Sequence, residues 1–404
     1  MAVNLEPVTH LEPVPGVKVA AAAAAVKYTD RLDVAVFEFA EGTDVGGVFT
    51  QSHFAAAPVV VARSNETGSS AWVVNSGNAN AATGTRGEAD AAEVCSHTAR
   101  LLQRAPESIL PFSTGVIGER LPVERINQAV DECYRNMRPD GWLDAANAIM
   151  TTDTVPKGMS IRTQLGDAEI TMTGIAKGSG MIKPDMATML AYVACDALVA
   201  PGVAKMLVQD AVAVSFNRIT VDGDTSTNDC FMLACTGLAG NDLIDGRDHP
   251  LYAELLEALT KLATYLAQAL VRDGEGATKF VTVNVTGGKS ADDCLGVAYA
   301  IAESPLVKTA MFAGDANWGR FCMAIGKANV REIDPNRVAL WLDDVQVAEN
   351  GMARSDYTEE AGARVMAEPE FTVHVDLGLG EAAETVWTTD LSYDYIKINA
   401  EYRT

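Results

Sequence analysis

The sequence predicts a mixed α/β (α+β) fold of closely joined lobes. Three observations carry this. The chain has 404 residues, enough to bury a sizeable core. Short runs rich in Val and Phe alternate irregularly with amphipathic helical stretches. No linker, low-complexity tract or internal repeat divides them.

Taken in order, residues 1–16 read as an extended, proline-marked segment, and Asp33 to Ala40, Val59 to Arg63 and Ala71 to Asn75 as strands. The third strand runs into Asn75–Gly84, a loop of small and amide residues. Such a loop lets backbone approach a ligand or another strand, and turn chemistry explains it equally well. Glu88 to Gln103 is predicted to be a helix with Ala91, Val94, Cys95, Ala99, Leu101 and Leu102 on its apolar face. The run Leu110 to Gly118 breaks sharply at Thr114-Gly115. A glycine N–H and a threonine hydroxyl there can form an oxyanion hole; taken alone, the segment serves as a turn between strand and helix. Pro122 to Met137 is a second predicted helix. A short apolar run then leads to Thr151-Thr152-Asp153-Thr154, a hydroxyl-rich loop suited to capping a helix or to binding a polar ligand.

Glu169 to Ala176 is a strand that feeds the run Lys177 to Leu190, where two glycines and a proline break regular structure. From Thr188 the chain continues as a strand to Ala197, followed by a helix over Val203 to Phe216. The polar loop Val221 to Asp229 lacks the residue order and closing glutamate of a calcium loop, so it reads as turns and polar contacts. Further on, Leu251 to Arg272 and Asp292 to Lys308 read as helices, and Phe280 to Val285, Val338 to Val347 and Phe371 to Asp376 as strands. One or two more strands are expected in Thr385 to Asn399. Glu275, between two glycines at a helix-to-strand junction, is either an exposed cap or a carboxylate presented to a cleft. Gly314 to Arg320 is another small, polar, glycine-flanked loop.

Composition narrows the function. Hydrophobic residues make up 48% and charged residues 21%, ordinary for a soluble globular protein. A net charge of −23 repels nucleic acid and anionic membranes, so neither is expected as a partner. Seven cysteines, odd in number, widely spaced and without a CxxC pair, argue against a disulfide framework or a structural zinc site. Met1 to Pro15 does not read as a signal peptide, and Ala20 to Ala25 is too short to span a bilayer, so a reducing cytoplasm is expected. Only five histidines are present, none at metal-ligand spacing with another; no metal site is expected. The serine-hydrolase elbow, the phosphate loop and the dinucleotide fingerprint are all missing.

Five segments, in order, give the chain its resemblance to a known family. They are Ser113 to Gly118; Lys177 to Ile182 with Met186-Ala187-Thr188-Met189-Leu190; Gly274 to Lys279; Gly314 to Arg320; and the ending Ile398 to Thr404. Together they resemble the ornithine acetyltransferase family of arginine biosynthesis (ArgJ), called bifunctional glutamate N-acetyltransferase where acetyl-CoA is also used. The resemblance spans nearly the whole chain. Asp185 stands where the family often has asparagine.

The resemblance implies a layered α/β sandwich, similar to N-terminal-nucleophile hydrolases but differently connected (the DmpA/OAT type). It implies that the precursor cuts itself between Ala187 and Thr188. An α segment, 1–187, and a β segment, 188–404, then stay together, expected as an α2β2 assembly. Thr188 is implied as the nucleophile, Thr114 and Gly115 as the oxyanion hole, and Thr151, Lys177, Thr188, Glu275, Asn399 and Thr404 as substrate contacts. Thr152 remains an alternative to Thr151. The implied reaction moves the acetyl group of N2-acetyl-L-ornithine to L-glutamate through an acetyl-threonine, in ping-pong fashion. No cofactor is needed, because transfer between two amines is nearly thermoneutral; acetyl-CoA is a candidate second donor.

The chemistry is self-consistent. A threonine hydroxyl is a weak nucleophile, but a free α-amine has a pKa of roughly 7.7–8.0 and can take its proton near neutral pH. Cleavage before Thr188 creates that base beside its nucleophile, which is how a histidine-poor chain can run acyl transfer. Two rival readings remain at this level. One is an N-terminal-nucleophile aminopeptidase or amidase that releases its acyl group to water. The other is a non-catalytic protein with an uncut chain.

Overall fold

A computed structural model describes residues 2–65, 68–183 and 189–401. The first elements are β1 (Val17–Ala22), β2 (Val34–Phe39), β3 (Asp44–Phe49), α1 (Ala57–Ser64), β4 (Ala71–Asn78), α2 (Gly84–Leu102), β5 (Ile109–Val116), α3 (Val123–Arg135) and α4 (Trp142–Ala148). Next come β6 (Lys157–Leu165), β7 (Ala168–Lys177), β8 (Leu190–Cys195), α5 (Val203–Val212), β9 (Ile219–Thr220), β10 (Cys230–Cys235) and α6 (Pro250–Arg272). The remainder are β11 (Phe280–Gly288), α7 (Ala291–Ala302), α8 (Pro305–Ala313), α9 (Trp318–Gly326), β12 (Ala339–Leu342), β13 (Val345–Glu349), β14 (Met352–Ala353), α10 (Glu359–Ala367), β15 (Glu370–Asp376), β16 (Ala382–Thr389) and α11 (Tyr393–Ala400).

The chain forms two compact units. The larger comprises Pro7–Asn217 and Asp224–Leu270, and the smaller Met1–Glu6, Arg218–Gly223 and Val271–Thr404. The larger unit contains two sheets, ordered β1-β2-β4-β5 and β3-β10-β8-β7-β6. Their apolar faces meet. Phe37 of β2, Trp72 of β4 and Phe112 of β5 pack on Tyr192 of β8, with ring centroids 5.6, 5.5 and 5.2 Å away. Such rings supply much of the apolar area a core can bury. The strand β2 shows how the layers arise. Its Val34 and Val36 turn outward to α2 and α3, while Ala35, Phe37 and Phe39 turn inward to the second sheet. Helices α5 and α6 pack on the second sheet, α6 through Leu262 and Leu266 against Gly174 of β7. The result is a helix–sheet–sheet–helix sandwich, as expected. The smaller unit is a seven-stranded sheet, β14-β13-β12-β15-β11-β16-β9, with α7 to α10 packed on it.

Four readings of the sequence are corrected. Val59 to Arg63 lies in helix α1, not a strand: Pro58 opens the helix, and Val59 and Ala62 are buried while Val60 is 42% exposed, the periodicity of a helix. The run Asp292 to Lys308 is two helices, because Pro305 has no N–H to continue the first and begins the second. Val338 to Val347 is a hairpin, β12 and β13, turning at Asp343-Asp344 with Asp343 at φ +47°. The stretch Thr385 to Asn399 holds one strand, β16, and then helix α11, capped by the Ser392 hydroxyl accepting from Tyr395 N–H. No helix among the described residues is long and apolar enough to cross a membrane.

Candidate active site

In the larger unit, three predicted residues come together around one ammonium group. Lys177 is the last residue of β7, opposite Leu190 at the start of β8. Its Nζ donates to Thr114 Oγ1 at 2.9 Å and to Thr151 Oγ1 at 3.3 Å. Thr114 is buried near the end of β5. With its oxygen accepting from Lys177, its own proton is available to donate elsewhere, as an oxyanion donor must. Gly115 follows at φ +133°, where a Cβ would lie 2.2 Å from the Gly77 carbonyl carbon. Only glycine lets β5 run that close to β4 while the chain turns at this point.

Thr151 rather than Thr152 reaches Lys177; Thr152 Oγ1 pairs instead with Ser179 Oγ at 2.7 Å. The loop that presents Thr151 is fixed by two groups that sequence reasoning did not single out. Arg31 donates to the Met150 and Thr151 carbonyls. Asp153 accepts from Thr151 N–H at 3.0 Å, from Gly178 N–H at 2.8 Å and from Lys157 Nζ at 2.6 Å, both charged side chains being fully buried. Burial pushes the Asp153 carboxyl up, but the Lys157 and Lys177 charges and these hydrogen bonds outweigh it and hold the group well below the usual carboxylate range. An aspartate among threonines, four residues before a lysine, is the available signal in a loop that the sequence leaves open between a helix cap and a polar-ligand site.

The amide loop is also resolved. Asn78 Nδ2 donates to the Glu119 and Arg120 carbonyls and Asn80 Nδ2 to the Gly87 carbonyl, so these amides knit backbone together. Asn228 Nδ2 likewise holds the Ala79 and Ser113 carbonyls.

In the smaller unit, Glu275 is buried and its Oε2 accepts from Asn399 Nδ2 at 2.8 Å. Asn399 sits on α11 and also donates to the Tyr395 carbonyl at 3.0 Å. The segment carrying Glu275 is pinned to that helix. Ser392 Oγ donates to the Gly276 carbonyl at 2.6 Å, and a Cβ on Gly276 (φ +67°) would lie 2.4 Å from Tyr395 N. Glu275 is therefore a held carboxylate rather than an exposed cap.

Ala187, Thr188 and Thr404, predicted as the cleavage junction, nucleophile and a substrate contact, lie outside the described residues. A cut between segments 1–187 and 188–404 would divide the chain and not the sheet. The five-stranded sheet takes β3, β6 and β7 from the first segment and β8 and β10 from the second.

A model of the ArgJ family matches residues 18–404. The arginine biosynthesis bifunctional protein ArgJ of Psychrobacter arcticus is 51% identical over 393 residues, 97% of this chain and 97% of that protein. Among solved structures, the bifunctional ArgJ of Bacillus halodurans is 35% identical, with a TM-score of 0.48, covering 51% of this chain and 95% of that one. The ornithine acetyltransferase of Mycobacterium tuberculosis, complexed with ornithine, is 30% identical with a TM-score of 0.37, covering 43% and 93%.

Proposed function

The chain belongs to the ArgJ family, and on that footing we propose that it is a self-cleaving acetyltransferase that moves acetyl from N2-acetyl-L-ornithine to L-glutamate. The observation that carries the reading is the lysine-held pair of hydroxyls, Thr114 and Thr151 on Lys177 Nζ, beside the glycine turn at Gly115. It supplies polarised donors of the kind an acyl-transfer oxyanion needs.

The scheme has two half-reactions. The Thr188 hydroxyl attacks the acetyl carbonyl and its own α-amine takes the proton. The tetrahedral oxyanion is stabilised by the Thr114 hydroxyl and the Gly115 N–H. The C–N bond breaks, the ornithine nitrogen recovers the proton, and an acetyl-threonine ester remains. Glutamate's amine then attacks that ester by the reverse route, giving N-acetylglutamate and the free enzyme. The earlier self-cleavage uses the same hydroxyl on the Ala187 carbonyl, with water hydrolysing the ester. Lys177 and Thr151 meet the amino-acid head group, and Glu275, oriented by Asn399, meets the ornithine ammonium; Thr404 completes the contacts. Two relatives carry the description bifunctional, which favours acetyl-CoA as a second acetyl donor. The products of cleavage stay together and pair as α2β2. All seven cysteines are free thiols, which suits a reducing cytoplasm.

Initial-rate kinetics with N-acetylornithine and glutamate test the scheme. Parallel double-reciprocal lines are expected, together with a fragment beginning Thr-Met-Leu-Ala-Tyr on N-terminal sequencing. Intersecting lines, or acetate released at the same rate without glutamate, would replace the transferase reading with a direct-transfer or hydrolytic one.

A further inference from the structure

Residues 228–230 join two strand ends that the acyl-transfer scheme uses. Asn228 Nδ2 donates at 2.8 Å to the Ser113 carbonyl, which belongs to the same peptide as the Thr114 nitrogen. Cys230 N–H donates at 2.8 Å to the Met189 carbonyl, and β10 then runs parallel to β8 from Leu190 onward. Asp229 sits between these anchors, its own carbonyl accepting from Thr50 N–H at 3.0 Å. It is 2% exposed, and its Oδ2 has no hydrogen-bond partner among the described residues.

A buried carboxylate needs donors or a paired charge. Asp153, which feels the Lys177 charge, shows what that looks like: two backbone N–H groups and the Lys157 ammonium. Asp229 is served by Ser226 and the Lys177 charge alone and its Oδ2 has no hydrogen-bond partner among the described residues, so burial favours the uncharged acid. The Lys177 charge acts on both carboxyls, yet they diverge. Asp153 is held low, whereas burial pushes Asp229 well above the carboxylate range, against the opposing pull of Ser226 and Lys177. Neighbouring acids split in this way are how one site keeps one carboxyl ionised and another neutral. Among the described residues, the charged and titratable groups bearing on Asp229 are Lys177 at the end of β7 and the adjacent Cys230 at the start of β10, while Asp153 is acted on by Lys177 and pairs with Lys157, the first residue of β6.

We propose that Asp229 is a further positioning residue of this site: held as an uncharged acid, it leaves the Lys177 ammonium committed to Thr114 and Thr151. Ionised, it would compete for Lys177 and loosen both hydroxyls. The inference rests on the acetyl-transfer reading of the same residues. Its sign follows directly. The acid form is lost as pH rises through the raised pKa, so the donor set weakens on the alkaline side.

The test compares the cut, assembled parent with Asp229→Asn, which has the shape of the acid and cannot ionise. On the alkaline side kcat/KM of the parent is expected to fall while that of the variant holds, their ratio widening about tenfold per pH unit for a single ionisation. Infrared difference spectra of protein labelled with heavy carbon at the aspartate side-chain carboxyls supply the second readout. At neutral pH the parent should show a protonated-carboxyl band that Asp229→Asn lacks. If that variant fails to fold, Asp229→Glu keeps the acid but not the labelled aspartate, and serves for the same subtraction. Superimposable pH profiles of kcat/KM in an enzyme that does transfer acetyl, or no band lost on substitution, overturn the role of Asp229 alone. A parent that transfers no acetyl to glutamate overturns the acetyl-transfer reading and this inference together, and the infrared band still tells which form Asp229 takes.

Discussion

Lys177 carries the site at the scale of a single residue. Its ammonium holds two hydroxyls, and its charge acts on two buried carboxyls. The aliphatic stem matters less, since a lysine's apolar length can be matched by methionine. Lys177→Met therefore separates packing from hydrogen bonding. Asp153 keeps Lys157 and its two backbone donors in that variant, so the fold should survive with little change in melting temperature. Acetyl transfer should fall by about 10²–10³, the cost of disordering an oxyanion donor. Steady-state kinetics beside a thermal melt separate the two cases: a large loss of melting temperature with kcat preserved would make Lys177 a structural lysine.

The elements around Lys177 are joined by the loop that carries Asp153. This carboxylate ties residue 151 to the first residue of β6 and to the turn after β7. Lys157, fully buried, has its charge balanced there. Asp153→Asn would leave that ammonium uncompensated, at a cost of about 3–5 kcal/mol. The pH dependence has a definite sign. Because the folded pKa of Asp153 is depressed, its contribution is complete above the unfolded value of about 3.9 and is lost as pH falls from there toward the folded value. The difference in unfolding free energy between parent and Asp153→Asn should thus be flat near neutrality and shrink below about pH 4, measured by denaturant titration at a series of pH values. A difference that stayed constant into acid would show that the carboxylate charge is not what stabilises the loop. This loop also marks the limit of what the sequence discloses. The break at Thr114-Gly115 and the strand ending at Lys177 were legible, since glycine and β-branched runs punctuate the chain locally. The partners of Asp153 and Asp229 were not, because burial and the absence of a donor are properties of the folded neighbourhood. Helix α1 was misread because Val59-Val60-Val61 has strand propensity, and its periodicity shows only in which valines are buried. Strand β10 passed unnoticed because both its faces are buried, leaving no alternation to read.

For the whole molecule, the order of the five-stranded sheet has a consequence that the proposed cut makes testable. Reading across, β3 comes from 1–187, β10 and β8 from 188–404, and β7 and β6 from 1–187 again. The two strands of the later segment are thus flanked on both sides by strands of the earlier one, paired over Cys230–Cys235 with Phe49–Asp44 and over Leu190–Cys195 with Lys177–Met172. Cutting between Ala187 and Thr188 would remove one covalent link but no ladder between these strands. Neither segment can leave without exposing unpaired strand edges and the aromatic cluster that Tyr192 completes with Phe37, Trp72 and Phe112. The fragments should therefore co-elute on size exclusion under native conditions and separate only in denaturant, in one cooperative transition reported alike by tryptophan fluorescence and by fragment release. The Thr188→Ala protein should remain a single band on a denaturing gel and keep the same native fold, because the sheet is complete whether or not the bond is whole. Release of either fragment before the fluorescence transition would mean that the segments are held by less than the shared sheet.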